Sequence, residues 1–313
     1  MRVWHMIAPE RPLELVDVPE PKPGPGQVLV DIKAAGLCHS DVGFIDGDMA
    51  WMLEKMPIVL GHEVAGTICA LGEGVNDFAV GDRVGIAGDG LDAPGIVADG
   101  GFGQKCIGKV DQLVPIPENV SFEQAAAGTD AGMTSYHAVH TVGGVTKDTR
   151  VGIIGLGGLG LTGVKIAVGL EAQVYAAEID DDLHELGLAA GVEAVVHNAE
   201  DLARFELDVI VDFAGARGTT TAAVASVNPS GRVVQVGMAH NEMTLPTQTL
   251  VTKQVQLIGS LGGKKQDTAA VYDLMARNLL QILVKTITFD EIPKGLNELR
   301  SGKVRGRLVA VAE

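Results

Sequence analysis

Val151-Gly152-Ile153-Ile154-Gly155-Leu156-Gly157-Gly158-Leu159-Gly160 is the stretch on which the fold of this 313-residue chain turns. An apolar run meets a G-x-G-x-x-G pattern at Gly155, Gly157 and Gly160, and a helical run with Val164, Ile166, Ala167 and Val168 follows. Strand, glycine turn and helix in that order form the fingerprint of a dinucleotide-binding unit. Gly155 permits the tight turn, Gly157 lets backbone approach a pyrophosphate, and Gly160 lets the helix pack closely. Gly158 and Leu159 complete the candidate cofactor turn, because the helix N-terminus attracts negative charge. Residues 151–170 have the length of a membrane span, with Lys165 as the single charge. Their glycine-rich opening, whose backbone groups need partners, favours a buried strand, turn and helix instead.

Downstream, Val174-Tyr175-Ala176-Ala177 reads as a second strand ending at Glu178, about where an acid meets the adenosine ribose. Asp180, Asp181 and Asp182 follow, so a 2′-phosphate would face four acids and no arginine. NAD is therefore the expected cofactor rather than NADP. Further short apolar runs at 195–197, 209–212 and 233–236 alternate with helical segments, which implies a parallel, doubly wound sheet. Upstream, residues 2–114 show short alternating strands broken by Pro and Gly, which predicts an antiparallel, barrel-like β domain. Ser121-Phe122-Glu123-Gln124 reads as a capping box opening a helix, with a polar turn at Gly128-Thr129-Asp130. Near the C-terminus, helices are expected at about 269–283 and 294–301, and a strand at 308–311.

Composition narrows the function classes. The chain is 46% hydrophobic, which supplies buried cores and excludes disorder. Forty acids against 24 Lys and Arg give a formal charge of −16, which repels nucleic acid and anionic membranes. Three cysteines, Cys38, Cys69 and Cys106, cannot form a disulfide framework, so a reducing, cytoplasmic setting is expected. The first residues carry Glu10, Arg11 and Glu14 where a signal peptide needs apolar side chains.

Gly36-Leu37-Cys38-His39-Ser40-Asp41 and Gly61-His62-Glu63-Val64-Ala65-Gly66 place cysteine and histidine, the donors zinc prefers, within the β region. Either residue alone reads as a packed core side chain. Together with the rest of the chain they carry a resemblance. The pattern G-H-E-x2-G-x5-G-x2-V is met at Gly61, His62, Glu63, Gly66, Gly72 and Val75. The Cys38 segment, Gly81-Asp82-Arg83-Val84, the glycine turn, Asp212-Phe213-Ala214-Gly215 and Gly302-Lys303-Val304-Arg305-Gly306-Arg307 match in the same order. Over nearly its whole length the chain resembles the zinc-dependent medium-chain alcohol dehydrogenases.

The resemblance implies an α/β protein with a GroES-like β-barrel catalytic domain, from residues 1–131 and 263–313, and a Rossmann cofactor domain at 132–262. It implies Cys38 and His62 as catalytic zinc ligands, with Asp130 where the family usually has a third, cysteine ligand. A carboxylate oxygen is an acceptable substitute. Glu63 becomes a nearby carboxylate able to enter the coordination sphere, and Asp41 the acid that accepts the other imidazole N–H of His62. Ser40 takes the proton-relay position, His39 and Arg307 join the cofactor set, and Trp51 and Met52 line the substrate pocket. One zinc ion per subunit and NAD are the implied cofactors, and a homodimer or homotetramer the implied assembly, with 255–261 as a candidate contact.

Two departures from the family pattern stand out. The structural-zinc lobe would fall at residues 85–99, which contain neither cysteine nor histidine. The relay histidine falls at about Gly43. The expected reaction is zinc-assisted hydride transfer between NAD and an apolar primary or secondary alcohol, aldehyde or ketone. Rival readings are a zinc-independent NADPH quinone or enoyl reductase of the same superfamily and a non-catalytic binding or structural protein on the same fold. Cys38, His62 and Glu178 together oppose the first, and the intact ligands, glycines and Ser40 oppose the second.

Overall fold

Alternating side chains along Gln27–Leu37 set the first half of the chain. Val28, Val30 and Ile32 point into one cluster with Val64, Ile68, Val84, Ile86, Cys106 and Leu113, all buried. Burying each such aliphatic side chain is worth roughly 1.5–3 kcal/mol. The computed structural model describes residues 1–240 and 242–312. This strand is long enough to serve three neighbours. Its first half pairs with Lys105–Lys109, its second half with Arg307–Val311, and its other edge with Glu63–Leu71. Register shifts at Leu29/Val30 and Ile32/Ala34 bend it, as bulges do in barrel-like sheets. Arg83–Ile86, Leu113–Pro115 and Val284–Thr288 complete a seven-stranded sheet. A smaller sheet joins Glu14–Asp17, Arg2–Met6 and Ile58–Val59.

Residues 150–259 form the second sheet. Its order is Ala194–Val196, Gln173–Ala177, Arg150–Ile154, Val209–Asp212, Arg232–Gln235 and Gln256–Gly259, all parallel. Numbered within the sheet this is 3-2-1-4-5-6, the doubly wound order, and it reverses direction beside Arg150–Ile154. The strand carrying the glycine turn therefore ends at the switch point where such sheets bind ligands. Both faces of the central strands are covered, so Val151, Ile153, Ile210, Val211, Val233 and Val234 are all buried.

Two compact units result. One comprises Met1–Met133, Lys264–Ala276 and Ile282–Glu313, and the other Thr134–Gly263 with Arg277–Gln281. The short return to the second unit is held by Lys165 Nζ, which donates to Gln281 O at 2.7 Å. Residues 151–170 fold as the expected strand, turn and helix, and no helix among the described residues is long and apolar enough to cross a membrane.

Three local expectations are corrected. The capping box at Ser121 is only half made. Ser121 Oγ accepts from Gln124 N at 3.4 Å, but the Gln124 amide is drawn away to the backbone N–H and C=O of Ile282. The polar turn at 128–130 is instead a π-helical segment, Gly128–Gly132, continuous with the helix Phe122–Ala127. Close packing selects it, because a Cβ on Gly128 or Gly132 would stand 2.8 Å from Tyr272 or Val271. The helix expected at 269–283 spans Lys265–Ala276. Asp267 Oδ2 accepts from Lys264 N at its start, and Asn278, at φ 58°, breaks it at its end. Residues 87–99, beyond the strand Arg83–Ile86, form a loop with bridges Asp89↔Asp92 and Pro94↔Ala98.

Candidate functional site

Four donors of three chemical types, a thiol, an imidazole and two carboxylates, converge in the first unit. One ligand atom from each of Cys38, His62, Glu63 and Asp130 lies within 4.8 Å of the others, and the first three residues are buried. They come from separate elements: the N-cap of the helix His39–Asp46, the turn before Glu63–Leu71, that strand itself, and the π-helical segment Gly128–Gly132.

Asp41 ties two of these elements together. Fully buried, it accepts from Cys38 N at 2.9 Å through Oδ2 and from Gly61 N at 3.3 Å through Oδ1. Oδ1 also lies 3.4 Å from His62 Nδ1. One carboxylate thus faces both ligand-bearing turns and the imidazole, which leaves His62 Nε2 on the donor side, 3.7 Å from Asp130 Oδ2. Burial opposes a charged His62, but Asp41 and Asp130 outweigh it and hold its pKa well above the ordinary imidazole value.

Glu63 can be buried because its neighbour has no side chain. Gly36 is its register partner on Gln27–Leu37, and a Cβ there would stand 1.9 Å from Glu63 Oε2. Burial pushes the Glu63 carboxyl upward, against the pull of Arg307. The guanidinium of Arg307 bonds the Glu63 carboxylate and, at 2.6 Å, Asp130 Oδ2. Arg307, which the resemblance puts in the cofactor set, bonds these donor acids and has 5% of its surface exposed. Neither the Gly36 seat nor the Arg307 pairing is visible in local sequence, since Arg307 lies 244 positions from Glu63.

The donor set fits zinc. A thiol, an imidazole nitrogen and carboxylate oxygens are its ordinary ligands, and buried Glu63 Oε2 has no hydrogen-bond partner. Ser40 stands beside the cluster with Oγ 3.5 Å from Cys38 Sγ. His39 is exposed at the first turn of the same helix. At position 43, where the relay histidine would fall, a Cβ would meet Met49 Sδ at 2.9 Å. Trp51 is 78% exposed on the turn Ala50–Met52, whereas Met52 packs partly against the core around Phe44. Cys69 and Cys106 lie on strands away from the donors. Burial pushes the Cys106 thiol up to about 12, which disfavours its thiolate. Asp181, His184 and His197 form a second grouping, but it is open to solvent and His184 Nε2 lies 2.7 Å from Glu178 O.

In the second unit Gly155, at φ +86°, turns the chain off Arg150–Ile154, and Gly157 is the N-cap of the helix Gly158–Gly169 with no side-chain cap. A Cβ on Gly157 would meet nothing within 4 Å, so the face above the turn is open to a ligand. Glu178 braces the turn from the end of the neighbouring strand. Oε2 accepts from Leu156 N at 2.6 Å and Oε1 from Asp180 N at 2.9 Å. Leu159 contributes its carbonyl to Ser135 Oγ at 2.9 Å. This cradle fits a dinucleotide pyrophosphate. A Cβ on Gly160 would stand 1.8 Å from the backbone oxygen of Gly155. Gly160→Ala is therefore expected to lower stability by about 3 kcal/mol, the upper part of the overpacking range. An unchanged thermal unfolding curve would show that helix and turn are not in contact there.

Comparison with known proteins agrees with this geometry. Residues 24–118 match the alcohol dehydrogenase GroES-like domain, and residues 158–277 match the zinc-binding dehydrogenase domain. An alcohol dehydrogenase of Geobacillus stearothermophilus is 31% identical over 329 residues, covering 96% of each chain. The acetophenone reductase of Geotrichum candidum, solved in complex with NAD, is 29% identical with a TM-score of 0.90, over 99% of this chain and 97% of that one. The alcohol dehydrogenase of Aeropyrum pernix is 27% identical with a TM-score of 0.90 and full coverage of both chains. A GroES-like unit carrying a Cys, His and Asp donor set, a doubly wound unit carrying the glycine turn, and these matches along the whole chain together make it a member of the zinc-binding alcohol dehydrogenase family.

Proposed function

We propose that this chain interconverts apolar primary or secondary alcohols with their aldehydes or ketones, using NAD and one zinc ion per subunit. The observation that carries the reading is the convergence of Cys38, His62, Glu63 and Asp130. When bound, zinc supplies Lewis-acid polarisation of the substrate oxygen and the nicotinamide takes or returns the hydride.

The chain's own residues do the rest. Cys38, His62 and Asp130 are the ligands we assign, and Asp41 keeps His62 Nε2 facing them by standing at Nδ1. Glu63 remains the nearby carboxylate. Ser40 Oγ is the hydroxyl assigned to carry the substrate proton. The N–H groups at the start of Gly158–Gly169 bind the cofactor phosphates, Glu178 accepts from its ribose, and His39 is assigned to the pyrophosphate. Trp51, with most of its ring free, and Met52 are assigned to an apolar substrate group. A homodimer or homotetramer through the outer strand Gln256–Gly259, in a reducing cytoplasm, completes the proposal.

A panel of aliphatic alcohols, aromatic alcohols and polyols, run with NAD and NADP on the zinc-loaded protein, tests it. NAD-linked turnover is expected to be highest on the apolar alcohols. Polyols outperforming them would reverse the substrate assignment, and no NAD-linked oxidation of any alcohol would overturn the function.

A further inference from the structure

Arg307 is the buried cation of the donor cluster. It opens the strand Arg307–Val311 and is fixed there by Arg307 N donating to Leu283 O at 2.8 Å and by pairing of its strand with Gln27–Leu37. Its guanidinium reaches two acids that belong to different elements, Glu63 on Glu63–Leu71 and Asp130 on the π-helical segment. Asp130 Oδ2, the atom it holds at 2.6 Å, is also the atom 3.7 Å from His62 Nε2. One carboxylate oxygen therefore faces both the guanidinium and the imidazole nitrogen on the donor side. A cation seated among the donors and Arg307 would share that oxygen.

The guanidinium offsets charge on the two acids that it bonds, Glu63 and Asp130, and a bound divalent ion would offset charge on the same acids. Arg307 also occupies carboxylate lone pairs of Glu63 and Asp130 that a metal ion held here would draw on, so it would oppose tight metal binding while holding the acids together without metal.

We infer that Arg307 is a positioning residue with a second role: it is a built-in countercharge that sets how tightly this centre holds its metal and keeps the chain folded through metal exchange. The inference rests on the zinc reading above. Removing the guanidinium raises the negative potential at the donors, so metal binds more tightly. Without metal the same change leaves uncompensated buried carboxylates, so the metal-free protein loses stability. The two effects have opposite signs, which a side chain that only fills space cannot produce.

The test uses the full chain with Arg307→Gln and Arg307→Lys. Zn2+ affinity is read by competition with a chromophoric chelator, thermal unfolding is read with chelator and with Zn2+, and the visible spectrum of the Co2+-substituted protein reports the donor set. For Arg307→Gln the Zn2+ Kd is expected to fall tenfold or more. The chelator-treated protein is expected to melt on the order of 10 °C lower, with a much smaller loss when loaded. The Co2+ spectrum should change as Asp130 and Glu63 are released. Arg307→Lys, which keeps the charge but not the two-acid reach, should fall between, and it carries the test if the glutamine variant does not fold. Equal losses with and without metal, or unchanged or weaker Zn2+ binding in the variants, would overturn the countercharge role alone. A wild-type chain that binds neither Zn2+ nor Co2+ would overturn the zinc reading and this inference with it.

Discussion

Cys38→Ser is expected to remove bound zinc and NAD-linked alcohol oxidation together, with activity falling on the order of 10³-fold or more. The expectation follows from the place of Cys38 in the cluster. It is the soft donor among four, and a serine hydroxyl at the same N-cap offers a hard, protonated oxygen that zinc ranks far below thiolate. The fold should survive, because the contact that organises the turn is the Cys38 backbone N–H donating to Asp41 Oδ2, and a serine keeps it. Serine is also a favoured N-cap residue. Metal content measured on the purified variant beside its turnover separates the outcomes. Full activity without metal would sink the zinc assignment.

Glu178→Ala is expected to lower kcat/KM for NAD by about 10²-fold, mostly through KM, and to narrow the preference for NAD over NADP. Two losses combine. The carboxylate braces the glycine turn by accepting from Leu156 N and Asp180 N, so its removal strands a buried N–H in the turn itself. It also removes the acceptor assigned to the ribose hydroxyls. Hydrogen bonds to a charged partner are worth about 1.5–3 kcal/mol, so losing the ribose bond and loosening the turn accounts for the stated factor. Saturating NAD should recover most of kcat, because Glu178 touches none of the groups assigned to the alcohol. A variant whose KM for NAD is unchanged would show that the ribose is held elsewhere.

Legibility in the sequence followed the range of the interactions involved. The glycine turn was readable because strand, turn and helix are consecutive, and each glycine answers a local demand. Gly155 needs positive φ, and Gly160 needs room beside the Gly155 carbonyl. Cys38, His62, Glu63 and Asp41 were legible only through the family pattern that spans the chain, and the Cys38 N–H to Asp41 contact within one turn emerged with the structure. Gly128-Thr129-Asp130 lies in the π-helical segment Gly128–Gly132, yet reads locally as a turn because propensity favours polar, glycine-rich sequence outside helices. Packing against Val271 and Tyr272 on a helix far along the chain overrides it. Gln124 shows the same effect in miniature: local pattern offers it to Ser121, and the fold gives its amide to Ile282.

By itself the sequence determined the alternation that builds each sheet, the glycine turn, the acid that ends the second strand, and the donor types available near Cys38 and His62. These depend on periods of two and 3.6 residues and on contacts within a turn, which short stretches encode without help. Only the tertiary structure decided that Glu63 is buried over Gly36, that Asp41 serves two backbone turns at once, and that Arg307 belongs with Glu63 and Asp130. Those pairings join residues as many as 244 positions apart, and burial makes charge neutrality a condition on the whole cluster rather than on any one residue. A buried charge is stable only beside its partner, and the partner is chosen by which strands and helices pack together.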